Sequence, residues 1–277
     1  MEDDALAPSL AHARFEIIPI KGVEAQLQHL PAGQTVTVTA SPSKGLEPTL
    51  ELAERLASDG HHAVPHLSAR LVAGRDELAR ILARLERAGI DEVFVPAGDA
   101  EVPAGPYEGA ADLLEDMGVI GHHLTGIGIT GYPESHAFIP DATTIAEMTR
   151  KAPYATSIVS QICYDPKTIR RWVAAVRARD IDLPIHLGIP GVIDRAKLLR
   201  VSLRVGLGDS VRFLRKQQEV ATRMLTGYTP DELIADLHDL VSDRAAGIAG
   251  WHLFTFNEVE RTERWRQELL IERGAAL

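Results

Sequence analysis

The chain has 277 residues, 45% hydrophobic and 25% charged, a composition typical of soluble globular proteins. Its formal charge of −10 leaves no basic footprint, which argues against binding nucleic acid, and no apolar run approaches the ~20 residues that span a bilayer. The start, Met-Glu-Asp-Asp, lacks the regions of a signal peptide, and the single cysteine, Cys163, allows no internal disulfide, so a cytoplasmic location is expected.

Taken in order, residues 1–12 are polar and alanine-rich and read as a flexible tail. Residues 14–19 read as a strand stopped by Pro19, followed by a helical segment through Leu30. Residues 35–39 (Thr-Val-Thr-Val-Thr) are β-branched throughout, a strong strand signal. A helix over 49–58 leads to a strand over 63–67. Residues 76–88 carry Leu78, Ile81, Leu82 and Leu85 on one helical stripe. Strand four is 92–95, and a helix over 109–117 precedes strand five at 126–130. A helix over 142–150, a strand over 156–162 and a helix over 166–177 with Asp165 as N-cap come next. Strand seven is 184–189, and about 60 residues separate it from strand eight at 252–256, roughly twice the usual interval. These residues read as extra helices, with a turn at 227–230 and an N-cap before Asp231; a helix over 259–270 follows the last strand.

Strands alternating with helices pair in parallel through right-handed crossovers, and eight units of this length make a single (βα)8 TIM barrel over residues 13–277. The alternative, an open doubly wound sheet, lacks its glycine fingerprint after the first strand. In a barrel the strand ends meet at one mouth, and polar groups recur there: Glu16, Thr39, His66, Asp99, Tyr132, His136, Gln161 and Asn257. Glu16 has apolar neighbours, so its carboxyl is expected to be partly buried, with a raised pKa suited to proton donation. It could equally be a structural carboxylate paired with an arginine. Asp99, after Gly98, could be a turn residue, and His66 and Gln161 could be satisfied core groups.

Other chemistries lack support. The His61-His62 and His122-His123 pairs do not have the i, i+4 spacing of a helical zinc site, so no metal is expected. There is no nucleophile elbow and no phosphate loop. Lys151 reads as a cation at a helix C-terminus, and Cys163 as a small core thiol.

The segments Phe15-Glu16-Ile17-Ile18-Pro19, Val36 to Thr39, Pro65-His66-Leu67, Gly98-Asp99, Gly131-Tyr-Pro-Glu-Ser-His136, Gln161 with Asp165, and Phe254-Thr-Phe-Asn257 resemble, in order, motifs of the methylenetetrahydrofolate reductase family. The resemblance spans nearly the whole chain. It implies a barrel that reduces 5,10-methylenetetrahydrofolate to 5-methyltetrahydrofolate, a step of one-carbon metabolism and methionine biosynthesis. Glu16 matches the general acid that opens the folate's five-membered ring, and Asp99 the carboxylate that binds the pterin and stabilises the 5-iminium cation. Gln161 matches a pterin-contacting amide, and Asn257 falls at the folate end. Thr39, His66, Tyr132 and His136 match positions lining the redox-cofactor pocket.

Three departures qualify the match. Where the flavin enzymes carry an arginine two residues before the strand-four Asp, this chain has Ala97. Where the family has an acidic residue in the helix after residues 131–136 this chain has Thr144, and in place of the arginine after the last-strand Asn it has Glu258. Losing a cation on the flavin-phosphate side removes a charge-assisted contact. The chain therefore resembles the small flavin-independent branch, with NADH (or NADPH) as direct hydride donor in preference to FAD. The alternatives are an FAD-dependent reductase and a non-catalytic folate-binding paralogue. The folate could be polyglutamylated, and a monomer or simple homo-oligomer without membrane or nucleic-acid partners is expected.

Overall fold

The structure is a computed structural model that describes residues 6–134, 141–194 and 229–273. Eight short strands, joined by helical chain, form one parallel sheet in the order β3-β2-β1-β8-β7-β6-β5-β4. They are β1 (Arg14–Ile17), β2 (Thr35–Val38), β3 (His62–Pro65), β4 (Glu92–Val95), β5 (Gly126–Gly131), β6 (Ser157–Ser160), β7 (Ile185–Pro190) and β8 (Ile248–Phe254). The helices are α1 (Leu6–Ala11), α2 (Glu24–Leu27), α3 (Glu47–Ser58), α4 (Arg75–Arg87), α5 (Ala110–Ile120), α6 (Asp141–Lys151), α7 (Pro166–Arg177), α8 (Asp231–Asp236), α9 (His238–Ser242) and α10 (Val259–Glu272). β1 pairs with both β2 and β8, which brings the first and last strands side by side.

The outer strands of the list, β3 and β4, nearly close the circle. Leu67 N donates to Phe94 O at 2.8 Å, Ala69 N to Pro96 O at 3.0 Å and Arg70 N to Ala97 O at 2.9 Å. These bonds fasten only the C-terminal half of the seam. At the N-terminal half side chains take over: His62 Nε2 lies 2.9 Å from Glu92 Oε2, and Arg14 pairs with the same carboxylate.

Strand periodicity divides each strand between two environments. Phe15, Ile17, Val36, Val38, Val93, Val95, Ile127 and Ile129 join the large core shared with the helices, including Leu78, Ile81, Leu82 and Leu85 of α4. The opposite parity faces the barrel axis, where Val64, Phe94 and Val159 form a separate apolar cluster among polar side chains. Glycine makes room there: a Cβ on Gly126 would lie 2.5 Å from Glu92 Cγ, and one on Gly128 would lie 3.0 Å from the Phe94 ring.

Several expectations need correction. The tail expected over residues 1–12 is helical from Leu6, because Leu6 and Leu10 are fully buried and α1 packs on β8 and α10. Trp251 Nε1 donates to Ser9 Oγ at 2.9 Å, and Arg266 Nη1 donates to Leu10 O and Ala11 O, satisfying the last carbonyls of the helix. The helix expected to reach Leu30 is a single turn, α2. β8 begins four residues earlier than expected, running through Gly250, where the sequence offered no apolar alternation. Pro230 precedes α8 without a side-chain cap, whereas the N-cap at Asp165 is present, with Oδ1 accepting from Lys167 N at 2.9 Å.

Candidate active site

Parallel pairing places all eight strand C-termini at one end, so Glu16, Thr39, His66, Asp99, Tyr132, Gln161 and Asn257 sit on or just beyond neighbouring strand ends. His136 lies outside the described residues. Glu16 is inward-facing on β1 with its side chain 13% exposed. Its Oε2 is 3.2 Å from His252 Nε2 of β8 and 3.5 Å from His66 Nε2 beyond β3. The His252 contact is a hydrogen bond; the His66 nitrogen is at ion-pair distance but makes no aligned bond. No described residue donates a hydrogen bond to Oε1.

This geometry reverses the expected titration of Glu16. Burial pushes the carboxyl upward, but the hydrogen bond from His252 and the charge interactions of His252 and His66 outweigh it and hold the pKa at about 2. Burial also depresses His252, against the pull of the Glu16 carboxylate. These partners favour Glu16 as a carboxylate, the reverse of the raised pKa expected from its apolar neighbours. Among the described residues no arginine pairs with it: Arg14, two residues earlier, pairs with Glu92 at the other end of the barrel.

Asp99 is exposed on the loop after β4. That loop is clamped by Arg70, from the 3-10 turn Ala69–Leu71 that follows β3. Arg70 Nε donates to Ala100 O at 2.7 Å, Nη2 to Glu101 O at 2.8 Å, and Nη1 to Glu108 O and Oε2 at 3.0 and 2.8 Å. Gly98 turns the chain at φ +90°, and a Cβ there would lie 2.9 Å from Ser68 Cβ. The tight approach of these two loops sets where Asp99 stands.

Tyr132 follows β5; burial raises its phenol pKa, a hydrogen bond to Thr130 lowers it, and the Asp99 charge adds to the rise. Thr130 Oγ1 in turn accepts from Lys151 Nζ at 3.0 Å. Lys151 does end a helix as expected, but it is only 5% exposed, and burial pulls its pKa to about 8. A Lys151–Thr130–Tyr132 chain therefore runs beneath the mouth. Thr39 is half-buried, and its carbonyl accepts from Thr49 Oγ1 at 2.8 Å. Gln161 is fixed through Oε1, which accepts from Ile162 N at 2.9 Å.

Asn257 is already occupied. Its Oδ1 accepts from Ile18 N at 2.8 Å and its Nδ2 donates to Ile18 O at 2.9 Å, from a left-handed backbone at φ +61°. The amide latches the end of β8 onto the end of β1 and so shapes the mouth, and Ile18 uses one of its two Nδ2–H donors. Sequence reasoning missed His252 and Arg70. For His252 the signal was its parity with Phe254, which places it on the axial face; for Arg70 no local pattern exists, because its partners lie 30–38 residues away.

A family profile for methylenetetrahydrofolate reductase matches residues 23–265. The chain belongs to the methylenetetrahydrofolate reductase family. Within it, "Methylenetetrahydrofolate reductase 2" of Saccharomyces cerevisiae is 34% identical over 150 residues, covering 51% of this chain and 24% of the yeast protein. The chain thus aligns with about a quarter of that relative's length. The crystal structure of a Burkholderia cenocepacia J2315 protein proposed to be a phosphonomutase superposes with a TM-score of 0.51, covering 98% of this chain and 100% of that one. At 11% identity that likeness concerns the fold alone. Among the described residues, no helix of this methylenetetrahydrofolate reductase family member is long and apolar enough to cross a membrane.

Proposed function

We propose that the protein reduces 5,10-methylenetetrahydrofolate to 5-methyltetrahydrofolate, with NADH delivering hydride directly to a 5-iminium form of the folate and no flavin between them. Family membership supports the reaction class. The observation that carries the reading is Glu16, a buried carboxylate fixed at the mouth with one oxygen unbonded by any described residue, on the strand end matching the family's general acid. Asp99, held at the rim by the Arg70 clamp, is the group suited to binding the pterin and stabilising the developing cation. Gln161 contacts the pterin, while Thr39, His66, Tyr132 and His136 line the nicotinamide side. Residues 13–277 act as one catalytic unit.

The flavin-free part draws support from Ala97, where a phosphate-binding arginine is missing, and from Arg70, whose guanidinium bonds that loop. Its hydrogen bonds are spent on loop carbonyls and Glu108, leaving it poorly placed for a phosphate. Direct transfer requires holding the nicotinamide at near-attack distance from the iminium carbon and excluding water. The second reading is an FAD enzyme that holds its cofactor through backbone amides in place of the missing arginine.

The test is NADH loss by absorbance, without oxygen, using purified protein and methylenetetrahydrofolate. A colourless protein that consumes NADH and yields 5-methyltetrahydrofolate is the expected result. Turnover only after FAD is added selects the flavin enzyme, and none in either case selects a folate-binding paralogue.

A further inference from the structure

Two imidazoles on one oxygen of Glu16 carry an inference that rests on the proposed reaction and deepens it. Oε2 has His252 Nε2 at 3.2 Å and His66 Nε2 at 3.5 Å. Both rings are themselves fixed: His252 meets the Phe254 ring edge-on at 4.8 Å, and His66 tilts against Phe94 at 4.7 Å. The titratable groups bearing on the carboxylate are His252 of β8 and His66 beyond β3; Arg14 of β1 bears on His252, and His252 on His186 of β7. His252 Nδ1 is buried without a partner, as suits a neutral ring donating from Nε2.

Opening the folate ring breaks the bond between N10 and the methylene carbon. The electron pair goes to N10, which needs a proton, and the carbon becomes the iminium that hydride then reduces. One NADH and one proton are consumed overall. An ionised Glu16 has no such proton to give. We propose that His252 is the positioning residue of Glu16, holding it as a carboxylate before folate binds, with Oε1 toward the folate site, and that the proton passed to N10 enters from solvent as the folate binds. The N10 lone pair can only accept, so it meets Oε1 across a hydrogen bond only when that oxygen carries a proton, and folate binding thereby favours the protonated form. The proton settles on Oε1, moves to N10 as the bond breaks, and leaves Glu16 ionised again.

Calorimetric titration of the whole protein with 5,10-methylenetetrahydrofolate, without NADH, in buffers of different ionisation enthalpy near pH 7 reads this uptake. About one proton taken up per folate bound is expected for the wild type, and none for Glu16→Gln. Binding without uptake in the wild type overturns the proposal. In turnover, His252→Leu is expected to lose at least about 30-fold in kcat with the NADH KM unchanged, and His252→Gln, whose amide can replace the Nε2–H donor, to recover most of it. Equal losses in the two variants would mean His252 merely fills space. A carbon-13 carboxyl resonance for Glu16, assigned with Glu16→Gln, is expected to stay in its ionised position between pH 5 and 8 in the unliganded protein. A protonated Glu16 there overturns the positioning role even if the protein binds no folate, an outcome that would by itself count only against the proposed reaction.

Discussion

Glu16 illustrates how far a residue's chemistry depends on what lies across the barrel from it. Its apolar neighbours Phe15 and Ile17 announced burial in the sequence, and both are fully buried. Burial alone raises a carboxyl pKa, and the expectation of a ready proton donor followed from that. His252, 236 residues later, and His66 reverse the sign. Glu16→Gln keeps the size and the acceptor oxygen but removes the transferable proton. It is expected to cut kcat by roughly 10²–10⁴-fold, the usual worth of a general acid, while NADH affinity stays put. Steady-state kinetics with an NADH binding titration checks this, and activity within about tenfold of wild type would remove Glu16 from the mechanism.

Helices and strands were legible where the local pattern was strong. The apolar stripe of α4 and the β-branched run of β2 appear where the sequence places them, and β4 and α7 have the expected bounds. Short elements held by distant partners were not. α1 is six residues long and too short to persist alone; Trp251 and Arg266 make it part of the barrel. The loop after β4 is likewise ordered by Arg70 from the neighbouring connection. Arg70→Ala is expected to loosen residues 98–108 and to raise the folate KM about tenfold, ~1.4 kcal/mol, with a smaller effect on kcat. Hydrogen exchange of that loop, measured beside KM, tests it; unchanged exchange with unchanged KM would show the clamp to be idle.

At the scale of the whole molecule, the seam between β3 and β4 depends on charge. Its lower half is joined by Glu92 with His62 and Arg14 rather than by main-chain bonds. Burial opposes the ionised Glu92, yet His62 and Arg14 bring its pKa from an ordinary 4.5 down to about 2. A depressed carboxylate contributes stability above its unfolded pKa and loses it as pH falls through the folded value. Glu92 is therefore worth roughly 3 kcal/mol at neutral pH, lost between about pH 4.5 and 2. His62 moves the other way: the Glu92 hydrogen bond raises its pKa above 6.5, so its contribution is complete below 6.5 and fades as pH rises through the raised value. Thermal unfolding across pH 2.5–8 is expected to show a lower Tm for Glu92→Gln at pH 7 and a flatter acid decline than wild type. Parallel curves would deny Glu92 this role.

The sequence by itself determined the alternation of eight strands and their helices and the set of polar residues at the strand ends, because periodicity and turn chemistry are local. It also carried the family motifs, since those residues lie in short contiguous runs. Only the tertiary structure decided that Glu16 is ionised, that Asn257 is spent on Ile18, that Lys151 is buried against Thr130 and that Arg70 fixes the Asp99 loop. Each of these depends on a partner 18 or more residues away along the chain, and the energy of a buried polar group depends on which partner it finds.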